Sequence, residues 1–422
     1  MSLPATATTA DRSLRALYIT YDGVLESLGQ SQVLPYLRGL AAGGARLWLL
    51  SFEKPADWRR LGAGEVNALR QTLASQGIVW EPLIYHKHPT VLATLYDVCR
   101  GTLRGWRLAR RERLAVVHAR SYVAGIMAWT ISRLTGSKFL FDMRGFWADE
   151  RVEARLWAPS GRLYRMAKRW ERRLLHDADA VVTLTQTAKA EVERLAGANH
   201  HERRLTVIPT CVDLTRFQPR PKLSPRLEAL GLGGRFVLMY SGAVGTWYLV
   251  DEMARFFRAL RQRVANAHFL VLTRQEHAPV RRAIHTAGIQ PQCVSVESVP
   301  FDEVPSWLAL ADAAILFRRP AYSLQGVFPT KVGEFLACGV PVVANAGIGD
   351  LDGLIDAHRV GIVVPQFSPA AFDQAAGCLL ELVKDPDLAL RCRRLAETLG
   401  TERGIAAYRE LYGVLAPQVL PC

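Results

Sequence analysis

The stretch FPTKVGEFLACGVPVV (Phe328–Val343) decides the reading of the chain. Pro329 suits the first position of a helix, where its missing N–H would have no partner and its ring presets φ. The N–H groups of Thr330, Lys331 and Val332 then open the helix unpaired. Together with the positive end of the helix dipole they form a ready site for phosphate. Lys331 adds a full charge, and Glu334, one turn on, is placed to accept the two hydroxyl donors of a ribose. The plainer alternative is a surface ion pair of Lys331 with Glu334 at i, i+3. Gly339 ends the helix so that VPVVA runs as a buried parallel strand. The segment reads as half of a nucleotide site.

Short β-branched runs alternate with helical patterns along the rest of the chain, which predicts an α/β protein with parallel sheets and covering helices. The first half offers ALYITY, LWLLSF, GIVWEPL, VVH, FLFDM, AVVTL and LTVIP as strands. A linker rich in Pro, Arg and Lys, FQPRPKLSPRLEALGLGG, follows, and the pattern restarts at FVLMYSG, HFLVLT, VSVESV, AAILF, VPVVA and GIVV. At 422 residues the chain exceeds one ordinary core. Two doubly wound, Rossmann-like domains are therefore expected, with ligands at the carboxyl ends of strands and in the cleft between the halves. Leu249, Met253, Phe256, Phe257, Leu260 and Val264 form one apolar stripe on a helix that packs on the second sheet.

Half of the residues are hydrophobic and 22% are charged, the mark of a globular chain. Seven scattered cysteines without a C-x-x-C pair argue against a disulfide framework or a zinc site and for a reducing compartment. No apolar run approaches the ~20 residues of a spanning helix, and residues 1–12 lack the apolar core of a signal peptide. A cytoplasmic protein is expected. The net charge of +14 points to an anionic partner. Arg100–Ala115 and Arg155–Leu175 interleave Arg and Lys with Trp, Tyr and Leu at helical spacing, as a helix lying on anionic lipid does. Ordinary solvated basic faces are the competing reading, and nucleic acid is disfavoured.

Four motifs in order carry a resemblance: YDGVLESLGQSQVLPYLRGLAAGGARLWLLSFEKP, VIPTCVDLTRFQP, MYSGAVGTWY and PTKVGEFLACGVPVV. Over most of residues 14–416 the chain resembles the family-four retaining glycosyltransferases (glycosyl transferases group 1). The resemblance implies the GT-B fold, with two Rossmann-like domains facing each other across a cleft. It divides the chain into an acceptor-binding domain at 1–215, a linker at 216–234, a nucleotide-sugar domain at 235–400, and a last helix at 401–422 that crosses back onto the first domain. It also implies transfer of a sugar from a nucleotide diphosphate donor to an acceptor held mainly by the first domain, with retention of configuration. Joined to the basic helices, this leads to the expectation of a glycan or lipid-linked acceptor and of surface polysaccharide synthesis at the inner face of the cell membrane. Glu334 matches the second glutamate of the family's E-x7-E motif, which holds the ribose. The first, which contacts the donor sugar, falls at Gly326.

Other candidates follow from position. Gly242 and Gly245 in SGAVGTWY let the backbone approach a phosphate. The family's Arg and Lys after this strand are absent, so Lys331 carries more of the leaving-group charge, aided by Arg274 or by Arg318 and Arg319. Val299 ends the strand VSVESV and joins the donor set. In the first half Gly29 brings its backbone to the donor or acceptor, and Ser31 caps the first helix. His118 and Arg120 end one strand, while Asp142, Arg144, Asp149 and Glu150 follow another, all where cleft residues belong. A structural ion pair between Arg144 and Glu150 is the alternative. Lys331, Arg144, Arg120 and Glu150 make the expected catalytic set. The Asp-x-Asp triplets Asp177–Asp179, Asp350–Asp352 and Asp385–Asp387 do not directly follow an expected strand, and no metal or other cofactor is expected. A dinucleotide dehydrogenase would need G-x-G-x-x-G after the first strand, which YDGVLESLG does not supply. A catalytically silent GT-B scaffold in a membrane polysaccharide assembly is the remaining competitor, favoured by Gly326 and the missing cations.

Overall fold

The computed structural model describes residues 14–196, 204–220, 225–300 and 302–417. The expectations for residues 1–12 and for part of the linker fall outside them. In the first half the strands are β1 (Arg15–Thr20), β2 (Arg46–Glu53), β3 (Ile78–Ile84), β4 (Val116–Arg120), β5 (Lys138–Asp142), β6 (Ala180–Thr183) and β7 (Arg204–Val207). They form one parallel sheet in the order β3-β2-β1-β4-β5-β6-β7. In the second half β8 (Val237–Ser241), β9 (His268–Leu272), β10 (Val294–Glu297), β11 (Ala313–Leu316), β12 (Val342–Asn345) and β13 (Gly361–Val364) form a second parallel sheet, ordered β10-β9-β8-β11-β12-β13. Both are covered on two faces, which is why their strands are near-continuous apolar runs.

Each sheet reverses its strand order beside its first strand, between β1 and β4 and between β8 and β11. Loops leaving such a pair of strands diverge and open a crevice. The two crevices face one another, and the loops after β1, β4, β5, β8 and β11 reach the space between the domains.

The last helix, Thr401–Leu415, crosses back to the first domain. Ile405, Tyr408, Leu411 and Tyr412 are buried in the first domain's core. The crossing is pinned at the hinge, where Val212 N–H donates to the Leu399 carbonyl at 2.9 Å and Thr401 N–H to the Val212 carbonyl at 3.0 Å. One edge of the cleft is closed by polar contacts between the domains. Glu153 accepts from Ser323 N–H at 3.0 Å and from its hydroxyl, the Tyr322 hydroxyl donates to Glu191 at 2.6 Å, and Asp350 accepts from the N–H groups of Gln186 and Thr187.

Three local expectations are corrected. The basic segment 155–175 is not one helix: Pro159, Ser160 and Gly161 break it, and the helix runs Arg162–Asp177. Ser31 does not cap a helix; it sits in the short helix Ser27–Gln32 and its hydroxyl donates back to the Ser27 carbonyl at 2.8 Å. Pro329 is the cap residue before the helix Thr330–Ala337, not its first member, with extended backbone at φ −70° and ψ 120°.

Candidate active site

The helix Thr330–Ala337 starts at the cleft because Phe328 and Pro329 are buried beneath it while Thr330 and Lys331 stay partly open. Val332 N–H donates to the Pro329 carbonyl at 3.0 Å, so the free pair is narrower than three, leaving Thr330 and Lys331. Cys338 caps the other end and Gly339 turns left-handed at φ 80°, which frees the chain to enter β12. Glu334 is buried at 4% exposure and bonded to the Lys331 ammonium at 2.6 Å. The pair is internal to the site, since both residues line a cavity of about 350 Å³.

That cavity spans the two domains. The second domain supplies Ser241, Gly242, Ala243, Arg274, Gln275, Val299, Thr330, Lys331 and Glu334, and the first supplies Ser27, Leu28, Ser31 and Gln32. Gln275 holds the loop after β8 by accepting from Val244 N–H at 2.6 Å. Gly245 is not on the wall: at φ 87° it turns the loop away, and a Cβ there would meet nothing. Gly29 is not on the wall either. Its bare Cα packs on the backbone of Gly23 and Val24, so glycine serves the tight approach of the loop after β1 to its helix.

A second cavity, of about 320 Å³, adjoins the first through Leu28, Gln32 and Thr330, which line both. Asp22, Arg120, Ser121, Arg144, Glu150, Leu184 and Thr210 complete it. Arg120 is 5% exposed and lies 3.7 Å from Asp22. Arg144 lies 3.7 Å from Asp142, not paired with Glu150 as the structural alternative would have it. Arg120 Nε, Arg144 Nη1 and Gln32 Oε1 are buried without hydrogen-bond partners, the two arginine atoms facing Asp22 and Asp142 at 3.7 Å. Ser121 and Arg144, at the ends of β4 and β5, both adopt left-handed backbone, at φ 68° and 62°. For non-glycine residues this costs on the order of 1–3 kcal/mol each, and such strain collects at functional sites.

Electrostatics sorts the remaining candidates. Burial pushes the Glu150 carboxyl above the usual range, with Arg318 and Arg151 pulling part of the way back. Burial opposes the charge of Arg144, yet Asp142, Tyr408, Tyr36 and Tyr18 hold its pKa above the ordinary value. Arg318 stacks over Tyr248, 5.3 Å from the ring centre, and Arg319 is exposed; neither lines either cavity. His118 and Asp142 are not cleft residues. They are 1% and 0% exposed, under the floor of the second cavity, with His118 Nδ1 3.0 Å from the Tyr412 hydroxyl. Asp149 also leaves the cleft, held by the Tyr164 hydroxyl at 2.8 Å and Lys168 at 2.9 Å. Asp22, Gln32 and Thr210 were missed in the sequence. Asp22 and Thr210 had a usable signal, since both sit just beyond the carboxyl end of a strand.

Two facing Rossmann-like domains with a helix-start pocket between them define a GT-B architecture. Residues 36–216 match the model of Glycosyltransferase Family 4, and residues 235–382 that of Glycosyl transferases group 1. The chain belongs to the family-four glycosyltransferases. A D-inositol 3-phosphate glycosyltransferase of Nocardia farcinica is 26% identical over 216 residues, 50% of this chain and 47% of that protein. The match thus spans about half the length of this curated relative. Among solved structures, the sucrose-phosphate synthase of Thermosynechococcus elongatus is similar at a TM-score of 0.70 and 16% identity, over 96% of this chain and 99% of that one. HepE of Anabaena in complex with UDP and glucose is similar at 0.68 and 14%, over 95% and 100%. At these identities the structures speak to the fold alone.

Proposed function

We propose that the chain transfers a hexose from a nucleoside diphosphate sugar to a glycan or lipid-linked acceptor held by the first domain, with retention of configuration, in surface polysaccharide synthesis. The observation that carries this reading is the juxtaposition in one cleft cavity of a free helix start at Thr330 and Lys331, a buried carboxylate at Glu334 and the facing loop of the first domain. The ribose docks on Glu334. The diphosphate lies on the amides of Thr330 and Lys331, with the Lys331 ammonium and Arg274 neutralising the charge that builds as it departs. The UDP bound to HepE supports this class of donor. Arg120, Arg144 and Glu150 surround the reacting carbon in the adjoining cavity. The bond from the anomeric carbon to phosphate breaks, that to the acceptor oxygen forms on the same face, and the acceptor proton passes to the departing phosphate oxygen. Positioning and charge stabilisation do the work, and no protein nucleophile is required.

A lipid-linked acceptor fits the outer face of the first domain. The helix Thr90–Glu112 follows β3 and so begins at the cleft end, where Val91, Leu92, Leu95 and Tyr96 are all more than half exposed. Further along that helix Arg100, Arg107, Arg110 and Arg111 are exposed, as are Arg162, Arg165, Arg169 and Arg172 beside Leu163 and Met166 on Arg162–Asp177. Apolar tips within a basic collar suit an anionic bilayer surface. Among the described residues no helix is long and apolar enough to cross a membrane.

The test is a thermal-shift and turnover screen against UDP, GDP and ADP sugars with Glu334→Ala as control, since ligands of the native state raise its melting point. A stabilising donor whose effect vanishes in Glu334→Ala is expected. Binding without transfer to any acceptor would favour the silent scaffold, and an inverted product would overturn retention.

A further inference from the structure

We propose that Glu150, contributed by the first domain, is the carboxylate that holds a hydroxyl of the transferred sugar, filling from across the cleft the corner left bare by glycine at position 326. The inference rests on the donor-site reading above and adds the sugar's contact and the way it is delivered.

The two cavities fix a direction. With the ribose at Glu334 and the diphosphate at the helix start, whatever the diphosphate carries must pass Thr330, the second-domain residue common to both cavities, and enter the smaller one. A neutral hexose presents several hydroxyl donors there, and each one stripped of water needs an acceptor. The cavity is rich in donors, with Arg120 and Arg144; its acceptors include the unpartnered but neutral Gln32 Oε1 and two carboxylates, which bind a hydroxyl more strongly. Of its two carboxylates Asp22 is engaged with Arg120. Among the described residues the Glu150 side chain makes no hydrogen bond or ion pair, although burial raises its pKa. The largest opposing influence is the field of Arg318 from the opposite domain. The lining carries two arginines, Arg120 and Arg144, against two carboxylates, Asp22 and Glu150, which suits an uncharged sugar over an acidic one.

The backbone explains why the carboxylate comes from this side. A Cβ built on Gly326 would lie 3.2 Å from the Gly145 Cα and 3.0 Å from the Phe146 ring. Gly326 is thus pressed on the first domain with no room for a side chain. A Cβ on Gly145 would in turn lie 3.0 Å from the Glu150 carboxylate and 3.5 Å from the Gly326 carbonyl, so Glu150 stands beside this glycine contact. The loop is held there by Ser323 on Glu153 and by the Thr185 hydroxyl on the Gln325 carbonyl at 2.5 Å. Nucleotide and sugar are then gripped by different domains, so the sugar is recognised only when the domains are closed.

Calorimetric titration of wild type, Glu150→Gln and Glu150→Ala with free UDP, GDP and ADP and with their glucose conjugates tests this. The expected result is nucleoside diphosphate affinity within about twofold of wild type in both variants. Affinity for the sugar conjugate should fall about tenfold to a hundredfold, as for loss of a hydrogen bond to a charged group. Equal losses for diphosphate and conjugate, or no loss for the conjugate, overturn the assignment while leaving the donor site standing. A wild-type protein that binds none of these nucleotides overturns the donor site itself. Glu150→Gln keeps the side chain's shape, so a matched melting temperature excludes unfolding as the cause.

Discussion

The hydroxyl of Tyr408, on the last helix, donates to Asp142 Oδ2 at 2.9 Å, and the same carboxylate oxygen lies 3.7 Å from Arg144 Nη1 on the wall of the second cavity. The returning helix therefore does more than close the first domain's core. It supplies the partner that orients Asp142, which in turn aims a strained arginine into the cleft.

Tyr408→Phe should separate the two roles. It removes one hydrogen bond to a buried carboxylate whose other oxygen already has no partner, so a stability loss of about 1–3 kcal/mol is expected in urea unfolding. Turnover should fall because Arg144 loses its fixed position, while nucleoside diphosphate affinity stays unchanged. A loss confined to nucleotide binding would contradict this coupling.

Gly326→Glu restores the glutamate that the family places here, and it should reduce activity. The new Cβ would press on the Gly145 backbone and the Phe146 ring, neither of which has a flexible end to withdraw. The domains would part along that edge, visible as an increased radius of gyration in small-angle scattering together with lower turnover. A rise in turnover would show that the cleft tolerates the side chain.

Reversing three charges, with Arg162, Arg165 and Arg169 all changed to Glu, should weaken binding to vesicles rich in anionic lipid by at least a hundredfold, at about 1 kcal/mol for each basic residue near the surface. The pair Leu92→Ser and Leu95→Ser should weaken it further, through lost apolar insertion. Flotation with anionic and with neutral vesicles reads both. Equal binding of wild type to the two would leave the exposed arginines as a solvated face.

The elements that were legible in the sequence are those whose cause is local. Phe328–Val343 carries its own helix start, carboxylate and glycine stop, and strands buried on both faces stand out as apolar runs. What stayed hidden depends on partners remote in sequence. Tyr408 is 266 positions from Asp142, and no spacing rule links them. His118 and Asp142 end strands as cleft residues should, yet the last helix lays Tyr408 and Tyr412 over them and takes both out of the cleft. The contact of Gly326 with Gly145 exists only once two domains close. Where the local pattern misled, as for the single basic helix, Pro159 and Gly161 outweighed the charge periodicity.

His118 should make the fold sensitive to mild acid. It packs against Tyr18, Tyr408 and Tyr412, and Asp142, 4.0 Å away, is already engaged by Tyr408 and Arg144. Burial first, and then Arg120 and Arg144, lower its pKa to about 3. In the unfolded chain the ring takes a proton below about pH 6.5. Between these values the unfolded state binds a proton that the folded state refuses, so stability present above the unfolded pKa is lost as pH falls, by up to about 1.4 kcal/mol per pH unit. His268, lowered to about 4 chiefly by burial, adds to the slope. The raised carboxyls of Glu53, Glu150 and Glu171 act in the opposite sense, since each disfavours the folded state as pH rises through its own titration. The difference between wild type and His118→Gln isolates the histidine. Urea unfolding at pH 7 and pH 5 should show wild type losing more stability than the variant, and parallel losses would mean that His118 accepts its proton within the fold.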